Sequence, residues 1–507
     1  MARVNHTSQG SVPFGGNTVS QLAAWDQAAP RAYTTNVLCF PTDGPDTSHD
    51  DISNHIRDSI RRLAVKRRDF AGRLILGGPD GGSRGRLEIH TSPTDFIPFE
   101  VMSKDFTTSY DELKKGEFPA SPFVNPDFII NCPLEEGDHP VPVSQVRVLY
   151  IKGGFLLFVH LHHAYGDGGC MCTLIELLAS ETVKADLKAE QLIDERRSCT
   201  LHLSLGKENS QKTFDELLAE CPEYGLLPGP TGPTQPIIPS LGLDKERAQL
   251  DSSCKAFVIN TSKLDILCKI SKTVKLTKYF VLAALAWAHT TQARLATDPH
   301  QAAYFAGCQP IFHNPHDWSD PRKKLFADNE SLKRYFGNSI ALPVTRSVGS
   351  SLDLVAACDW MDAVVQGQSP TKILAIAESI QRANRVINED FVLKRTALFM
   401  AAPDVRYLGI TMDSRAPQNF SMNTWAFIGN NTRFWFPGAS LEETKGRPEA
   451  IRRVQGALAA SPHGLILPAR PGIAPDELEL LATLPRAAMQ HLERDVSWMS
   501  LVKRVVG

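Results

Sequence analysis

The residues best equipped for chemistry lie in one run, His162-His163-Ala164-Tyr165-Gly166-Asp167-Gly168. An imidazole with its ordinary pKa near ~6.5 accepts a proton from a hydroxyl or amine at neutral pH, so a histidine here is a candidate general base. Strand alternation puts His160 and His162 on one face and His163 on the other. One imidazole is therefore expected to be structural and the other to face a different environment. Asp167 can fold back and fix the loop, because Gly166 and Gly168 permit a tight turn and close approach of a second segment. Three plainer readings compete: metal ligation, satisfied core histidines beside a strand-to-helix connector, and a serine or cysteine nucleophile with His163 as its base. The first lacks a nearby acidic partner and has its imidazoles pointing oppositely. The third lacks a Gly-x-Ser-x-Gly elbow and a partner for Cys170.

The elements that must position this run are legible around it. Val146–Ile151 and Phe155–Leu161 are rich in strand formers and are joined by Lys152-Gly153-Gly154, which predicts a hairpin. The second run is almost wholly apolar, so it is expected in the middle of a sheet, buried on both faces. A helix is expected from Cys170 to Ala179, with Leu174, Leu177 and Leu178 inward. Upstream, Ile52, Ile56, Ile60 and Leu63 paint one face of a helix that Ser48 can cap. Its arginines and lysines, through Lys66, Arg67 and Arg68, read as a solvated face. Two further strands, Gly72–Leu76 and Arg86–His90, flank the glycine-rich turn Gly77–Gly85. Prolines 228, 230, 233, 236 and 239 mark a crossover with no regular ladder or helix. Beyond it, Lys255–Ile259 reads as a strand and Leu276–Ala293 as a helix apolar all round, hence buried. The expected organisation is an N-terminal domain (1–195), a linker (196–251) and a C-terminal domain (252–507).

Composition narrows the function classes. The 507 residues are 42% hydrophobic and 22% charged, and 54 basic against 56 acidic side chains leave a formal net charge of −2. A duplex nucleic-acid binder carries a basic excess that is missing here. No apolar run approaches the ~18 residues of a spanning helix, and the start of the chain lacks the apolar stretch of a secretory signal. Ten scattered cysteines are expected to be reduced, mostly buried thiols. The expectation is a cytoplasmic monomer with no nucleic-acid or membrane partner and no metal.

His162-His163-x-x-x-Asp167-Gly168 resembles the HHxxxDG signature of the BAHD family of CoA-dependent acyltransferases. The signature alone is shared with chloramphenicol acetyltransferase and with peptide-synthetase condensation domains. Four further segments are similar to BAHD motifs: Leu22-Ala23-Ala24-Trp25-Asp26, Phe70-Ala71-Gly72-Arg73-Leu74, Leu282–Trp287 with Ala293-Arg294, and Tyr335-Phe336-Gly337-Asn338. The second family signature, Asp-Phe-Gly-Trp-Gly, is not kept: Trp435-Phe436-Pro437-Gly438 stands in its place, as in a fungal-type member. The arginine that commonly pairs with the motif aspartate has no match either, since Gly307-Cys308-Gln309-Pro310 occupies its region.

The resemblance implies an α/β fold of two chloramphenicol-acetyltransferase-like domains, each a mixed sheet flanked by helices, with a central channel at their interface. It implies transfer of an acyl group, acetyl by default, from acyl-CoA to a hydroxyl or amine of a small molecule such as a secondary metabolite, with no acyl-enzyme intermediate. Acyl-CoA is then a co-substrate and no cofactor is resident. His163 would be the base and Asp167 structural, and His162 and Gly168 complete the motif. Asn423, Thr424 or Trp425 would supply the oxyanion donor. Lys272, Lys275 and Lys278 would meet the CoA phosphates. The alternatives are a condensation-type transferase fed by a carrier protein or offloading a polyketide, and a silent relative that only binds ligand.

Overall fold

The computed structural model describes residues 16–44, 47–77, 85–130, 139–183, 198–227, 235–236, 252–271, 274–346, 349–454 and 462–507. Two mixed sheets dominate it. Their strands, in chain order, are β1 (Tyr33–Pro41), β2 (Phe99–Val101), β3 (Ser144–Ile151), β4 (Gly154–His162), β5 (Ser252–Asn260) and β6 (Ile311–His313). Next come β7 (Val344–Arg346), β8 (Phe420–Thr424), β9 (Ala450–Arg453), β10 (His463–Ile466), β11 (Glu477–Pro485) and β12 (Val502–Val506). A five-stranded sheet runs β9-β1-β4-β3-β2, and a seven-stranded sheet runs β7-β6-β8-β10-β11-β5-β12.

The expected hairpin is β3–β4, antiparallel from Ser144 opposite Leu161 to Ile151 opposite Gly154. Every residue of β4 is buried, as its unbroken apolar run requires once strands lie on both sides. Helices α1 (His49–Lys66), α2 (Gly168–Val183) and α3 (Lys278–Thr297) supply the main packing layers. Ser48 caps α1 by accepting from the Asp51 amide. The Ala-Arg pair at the end of α3 is structural: the buried Arg294 donates to the carbonyls of Ser414 and Asn419, which fixes the approach to β8.

Leu157, Val159 and Leu161 of β4 share one core with Ala256, Val258, Leu465 and Leu481 of the seven-stranded sheet. One face of each sheet therefore looks at the other, and the motif lies at the end of a strand on that boundary. Core packing around α3 forms a second cluster on the far side of the seven-stranded sheet.

Three expectations need correction. Arg67 is not on a solvated face: it is buried, bonded to Asp69 and stacked between the rings of Phe70 and Phe336, each 4.4 Å from its guanidinium carbon. Lys66 is also buried and pairs with Glu181 at 2.9 Å. Aromatic faces and a buried carboxylate from distant segments outcompete water there. The crossover is also more regular than its prolines suggest. Thr213 and Glu216 form a capping box on the helix Phe214–Glu220, and Tyr224–Leu226 and Gln235–Pro236 both pair with the strand Leu408–Ile410. Pro228, Pro230, Pro233 and Pro239 lie outside the described residues, as do Gly78, Gly81 and Gly82 of the glycine-rich turn. Finally, sequence halves and spatial layers do not coincide. β9, from the second half, edges the first sheet beside β1, and Phe434 and Phe436 pack on Phe40.

Arg452 of β9 shows what that exchange does for stability. Almost fully buried, it donates to the Phe118 carbonyl at 2.7 Å and to Glu479 of β11 at 3.1 Å, joining the two sheets. Removing one partner of a buried pair costs about 3–5 kcal/mol, whereas an apolar replacement of both is much milder. Chemical denaturation of R452A is expected to show a loss of that order, largely recovered in a R452M/E479L double variant. Equal losses in both would mean the pair does not hold the sheets together.

Candidate active site

His162 and His163 leave the end of β4 in opposite directions, as alternation predicts. His162 is wholly buried, its Nδ1 accepts from the Ala164 amide at 3.2 Å, and the Tyr33 ring meets it edge-on. Burial, with the nearby charges of His163 and Arg31, pulls its pKa down to about 3. His160, bonded through Nδ1 to Thr35 Oγ1 at 2.8 Å, is likewise pulled to about 3 by burial, with a smaller contribution from Arg147. Both are neutral core imidazoles. His163 keeps partial solvent access. Burial lowers its pKa, its own carbonyl, Asp167 and Asn338 oppose that, and the charge of Arg453 adds to it. It is thus neutral and able to accept a proton at pH 7.

The backbone of His163 is held on both sides. Its amide donates to the Ala32 carbonyl at 2.8 Å, and its carbonyl accepts from Asn338 Nδ2 at 2.8 Å. Asn338 belongs to a turn anchored on Asp26, a buried carboxylate that accepts from the Asn338 amide (2.6 Å), Asn338 Nδ2 (2.9 Å) and Tyr335 Oη (2.9 Å). Burial pushes Asp26 up to about 8 despite those bonds. A Cβ at Gly337 would sit 2.7 Å from Asp26 Oδ1 and 2.4 Å from Tyr335 Oη, so only glycine fits there.

Asp167 is held by the next residue of the same turn. Its Oδ2 accepts from the amide and hydroxyl of Ser339, at 3.0 and 3.2 Å, and its Oδ1 accepts from the amides of Gly169 and Cys170. The aspartate therefore caps α2 and ties its start to the second half of the chain, with no arginine needed. Burial raises its pKa, with the Asp317 charge adding. Neither flanking glycine has a positive φ; Gly166 acts through packing, since a Cβ there would meet Cys170 Cβ at 2.5 Å, whereas one on Gly168 would make only ordinary contact.

The other expected residues fall into two groups. Asn423 and Thr424 end β8 and Trp425 follows it, and this segment reaches the motif through Phe427, whose ring tip lies 3.6 Å from where a Cβ on Gly168 would stand. Thr424 Oγ1 accepts from the Ala426 amide at 3.3 Å and Asn423 Oδ1 from the Thr424 amide at 2.7 Å. Trp425 is buried. The lysines are elsewhere: Lys278, at the start of α3, is paired with Asp265 at 2.9 Å, Lys275 is exposed, and Lys272 lies outside the described residues. Trp435 stacks edge-on against His55, and Phe436 is packed against Phe155, so the altered second signature still serves packing. Sequence reasoning missed Ser339, which carried no signal beyond its place after a motif, and the partnership of Asp26 with Asn338, although both stood in quoted motifs. It also missed a cavity of about 380 Å3 lined by Arg433, Lys445 and Arg447.

Known proteins of the same architecture put this geometry in a class. Over 97% of the chain and all of the other, the fold superposes on F. graminearum TRI101 complexed with coenzyme A and T-2 mycotoxin, with TM-score 0.69 and 16% identity. Vinorine synthase superposes with TM-score 0.53 and 13% identity over 98% of this chain and 95% of its own. The two-sheet architecture is thus the chloramphenicol-acetyltransferase-like one. Residues 32–181 match the trichothecene 3-O-acetyltransferase-like N-terminal domain. Among curated proteins, acyltransferase cm3D of Cordyceps militaris is 25% identical over 183 residues, 33% of this chain and 36% of that protein. Putrescine hydroxycinnamoyltransferase 2 of Oryza sativa subsp. japonica is 28% identical over 178 residues, 33% of this chain and 50% of that protein. The chain thus spans half or less of the length of these curated relatives. In fold, and over residues 32–181 in sequence, the chain is thus similar to acyltransferases of this kind. Among the described residues, no helix is long and apolar enough to cross a membrane.

The buried histidines make a stability prediction with a definite sign. His160 stays neutral in the folded chain down to about 3, whereas unfolded it takes up a proton near ~6.5. Its contribution is present above ~6.5 and is lost progressively as pH falls toward about 3. Thermal unfolding of H160Q is expected to vary less steeply between pH 6.5 and 4 than that of the wild type. Parallel slopes would place no titration at His160.

Proposed function

We propose that this protein is an acyl-CoA-dependent acyltransferase that moves an acyl group, acetyl by default, onto a hydroxyl of a small molecule, with a secondary metabolite as acceptor. The observation that carries this reading is the neutral, partly accessible His163, clamped by its own backbone at the end of a buried strand. TRI101 of F. graminearum, of the same fold, is complexed with coenzyme A together with T-2 mycotoxin in one structure and with deoxynivalenol in another. Both describe the kind of co-substrate and acceptor intended here.

In the proposed reaction His163 Nε2 takes the proton of the acceptor hydroxyl as its oxygen attacks the thioester carbonyl carbon. The oxyanion so formed is met by a donor from Asn423, Thr424 or Trp425; one well-placed donor is worth about 3–4 kcal/mol. Collapse breaks the carbon–sulfur bond, and the imidazolium returns the proton to the CoA thiolate. Asp167 acts at a distance, by capping α2 and fixing the loop. Lys275 is the described lysine left to meet a CoA phosphate, since Lys278 already has a carboxylate partner. The reading makes the chain a soluble cytoplasmic monomer that needs no resident cofactor.

Acyl transfer from acetyl-CoA to a panel of hydroxylated terpenoids and polyketides tests the proposal. H163A is expected to lose about 100-fold or more in kcat. The acid limb of the wild-type kcat/KM profile should fall below ~6.5, because burial favours the neutral base. An active H163A, or thioester use only from a carrier protein, would overturn the reading. K275E is expected to raise KM for acetyl-CoA and leave the acceptor KM alone; the reverse pattern would remove Lys275 from the CoA site.

A further inference from the structure

Two polar side chains on the His163 face of the first sheet are incompletely matched by the protein itself. Asn36 of β1 is fully buried, yet neither its amide oxygen nor its nitrogen is hydrogen-bonded. It stands directly opposite Arg453 of β9 on one side and Val159 of β4 on the other. Directly opposed residues share a face and stand about 4.5–5.5 Å apart at Cβ. Their neighbours on that face, Leu38, Leu161 and Ile451, belong to the core between the two sheets, so Asn36 and Arg453 point at the seven-stranded sheet. By the same alternation His163, following Leu161, lies on this face.

Arg453 is a cation without an acid. Its Nη1 donates to His463 Nε2 at 2.9 Å, and its guanidinium carbon lies 5.7 Å from the centre of the Trp425 ring. No carboxylate among the described residues pairs with it, whereas its neighbour Arg452 has Glu479. Arg453 remains partly open to solvent between the sheets, as do His463, Ser421 and Asn423 on the strands opposite. An interior charge without a counter-ion and an amide with all its bonds unmade are both costly. Such groups persist beside a reacting imidazole when a ligand completes them.

We infer that Arg453 and Asn36 form a carboxylate-binding subsite on the His163 face of the first sheet, which selects a reactant bearing a carboxylate apart from its reacting atom. The planar guanidinium can hold both carboxylate oxygens and the Asn36 amide can donate to one of them. The carboxylate can belong to the acceptor or to the acyl group; the chemistry recognised is the same. This inference rests on the acyl-transfer reading.

The test uses wild type, R453Q, R453K and N36D, each checked by thermal unfolding. In one arm, binding of deoxycholic acid and of its methyl ester to the CoA-loaded protein is measured by calorimetry. In the other, malonyl-CoA and acetyl-CoA compete for one neutral alcohol. In one arm the wild type should favour the carboxylate about tenfold or more, the gain of a charge-assisted pair. That arm names the source. R453Q should abolish the preference and R453K keep part of it. N36D, which places a carboxylate of the protein opposite an intact Arg453, should abolish it as well. No preference in either arm, or one that survives in R453Q and N36D, overturns the subsite. If acyl transfer itself is wrong, no thioester is consumed with any acceptor and H163A matches the wild type. If only the subsite is wrong, thioester is consumed without regard to the carboxylate.

Discussion

The site depends on two interior carboxylates being satisfied by one turn. Asp26 and Asp167 come from distant parts of the first half, and both are bonded by consecutive residues of the second, Asn338 and Ser339. Removing a carboxylate from water is expensive unless hydrogen bonds replace the lost hydration. Neither aspartate can therefore be buried until the turn Tyr335–Ser339 is in place, and the turn cannot close without Gly337. Because Asn338 Nδ2 also holds the His163 carbonyl, the same contacts that offset the burial fix the candidate base. Phe336 adds a second tie by covering the Arg67 guanidinium, whose partner Asp69 accepts from Tyr165 within the motif loop.

Adjacent histidines are separated in chemistry by where the strand ends. Inside β4 a side chain meets neighbours on both sides, and His160 becomes a neutral, apolar-packed ring. His162 is caught in the same layer by Tyr33. One residue further, the chain has left the ladder, and the opposing face offers solvent access, the Asp167 charge and a second sheet. Sequence adjacency therefore says little about access; the pleat and the ladder's last pair decide it.

What was legible in the sequence follows from range. The β3–β4 hairpin, the caps of α1 and the buried α3 depend on residues within a few turns of each other, so their pattern carries them. The fold class was legible through motifs spread along the chain. The pairing of β9 with β1 and the burial of Arg67 were not, because each depends on a partner hundreds of residues away or on an aromatic face that only the fold assembles. At the site the same division holds. His163 and Asp167 could be singled out by type and spacing, whereas what holds Asp167 could not: the expected partner was an arginine, and a serine hydroxyl and two sets of backbone amides do the work instead. The lysines chosen from their run illustrate the converse, since a charge on a helix start is free to find a local carboxylate, as Lys278 does with Asp265.

Arg452 and Arg453 bring these constraints onto two adjacent residues. Side chains that follow one another on a strand point to opposite faces, so the pair cannot serve one purpose. Arg452 starts from the opposite face of β9 and is satisfied there by two carbonyls of the segment Glu117-Phe118 and by Glu479, which it reaches on the other sheet. Arg453 turns toward the boundary, where an imidazole and an indole face give it weaker company than a carboxylate. Matched on one face and unmatched on the other, the pair divides between holding the sheets together and presenting charge to what lies between them.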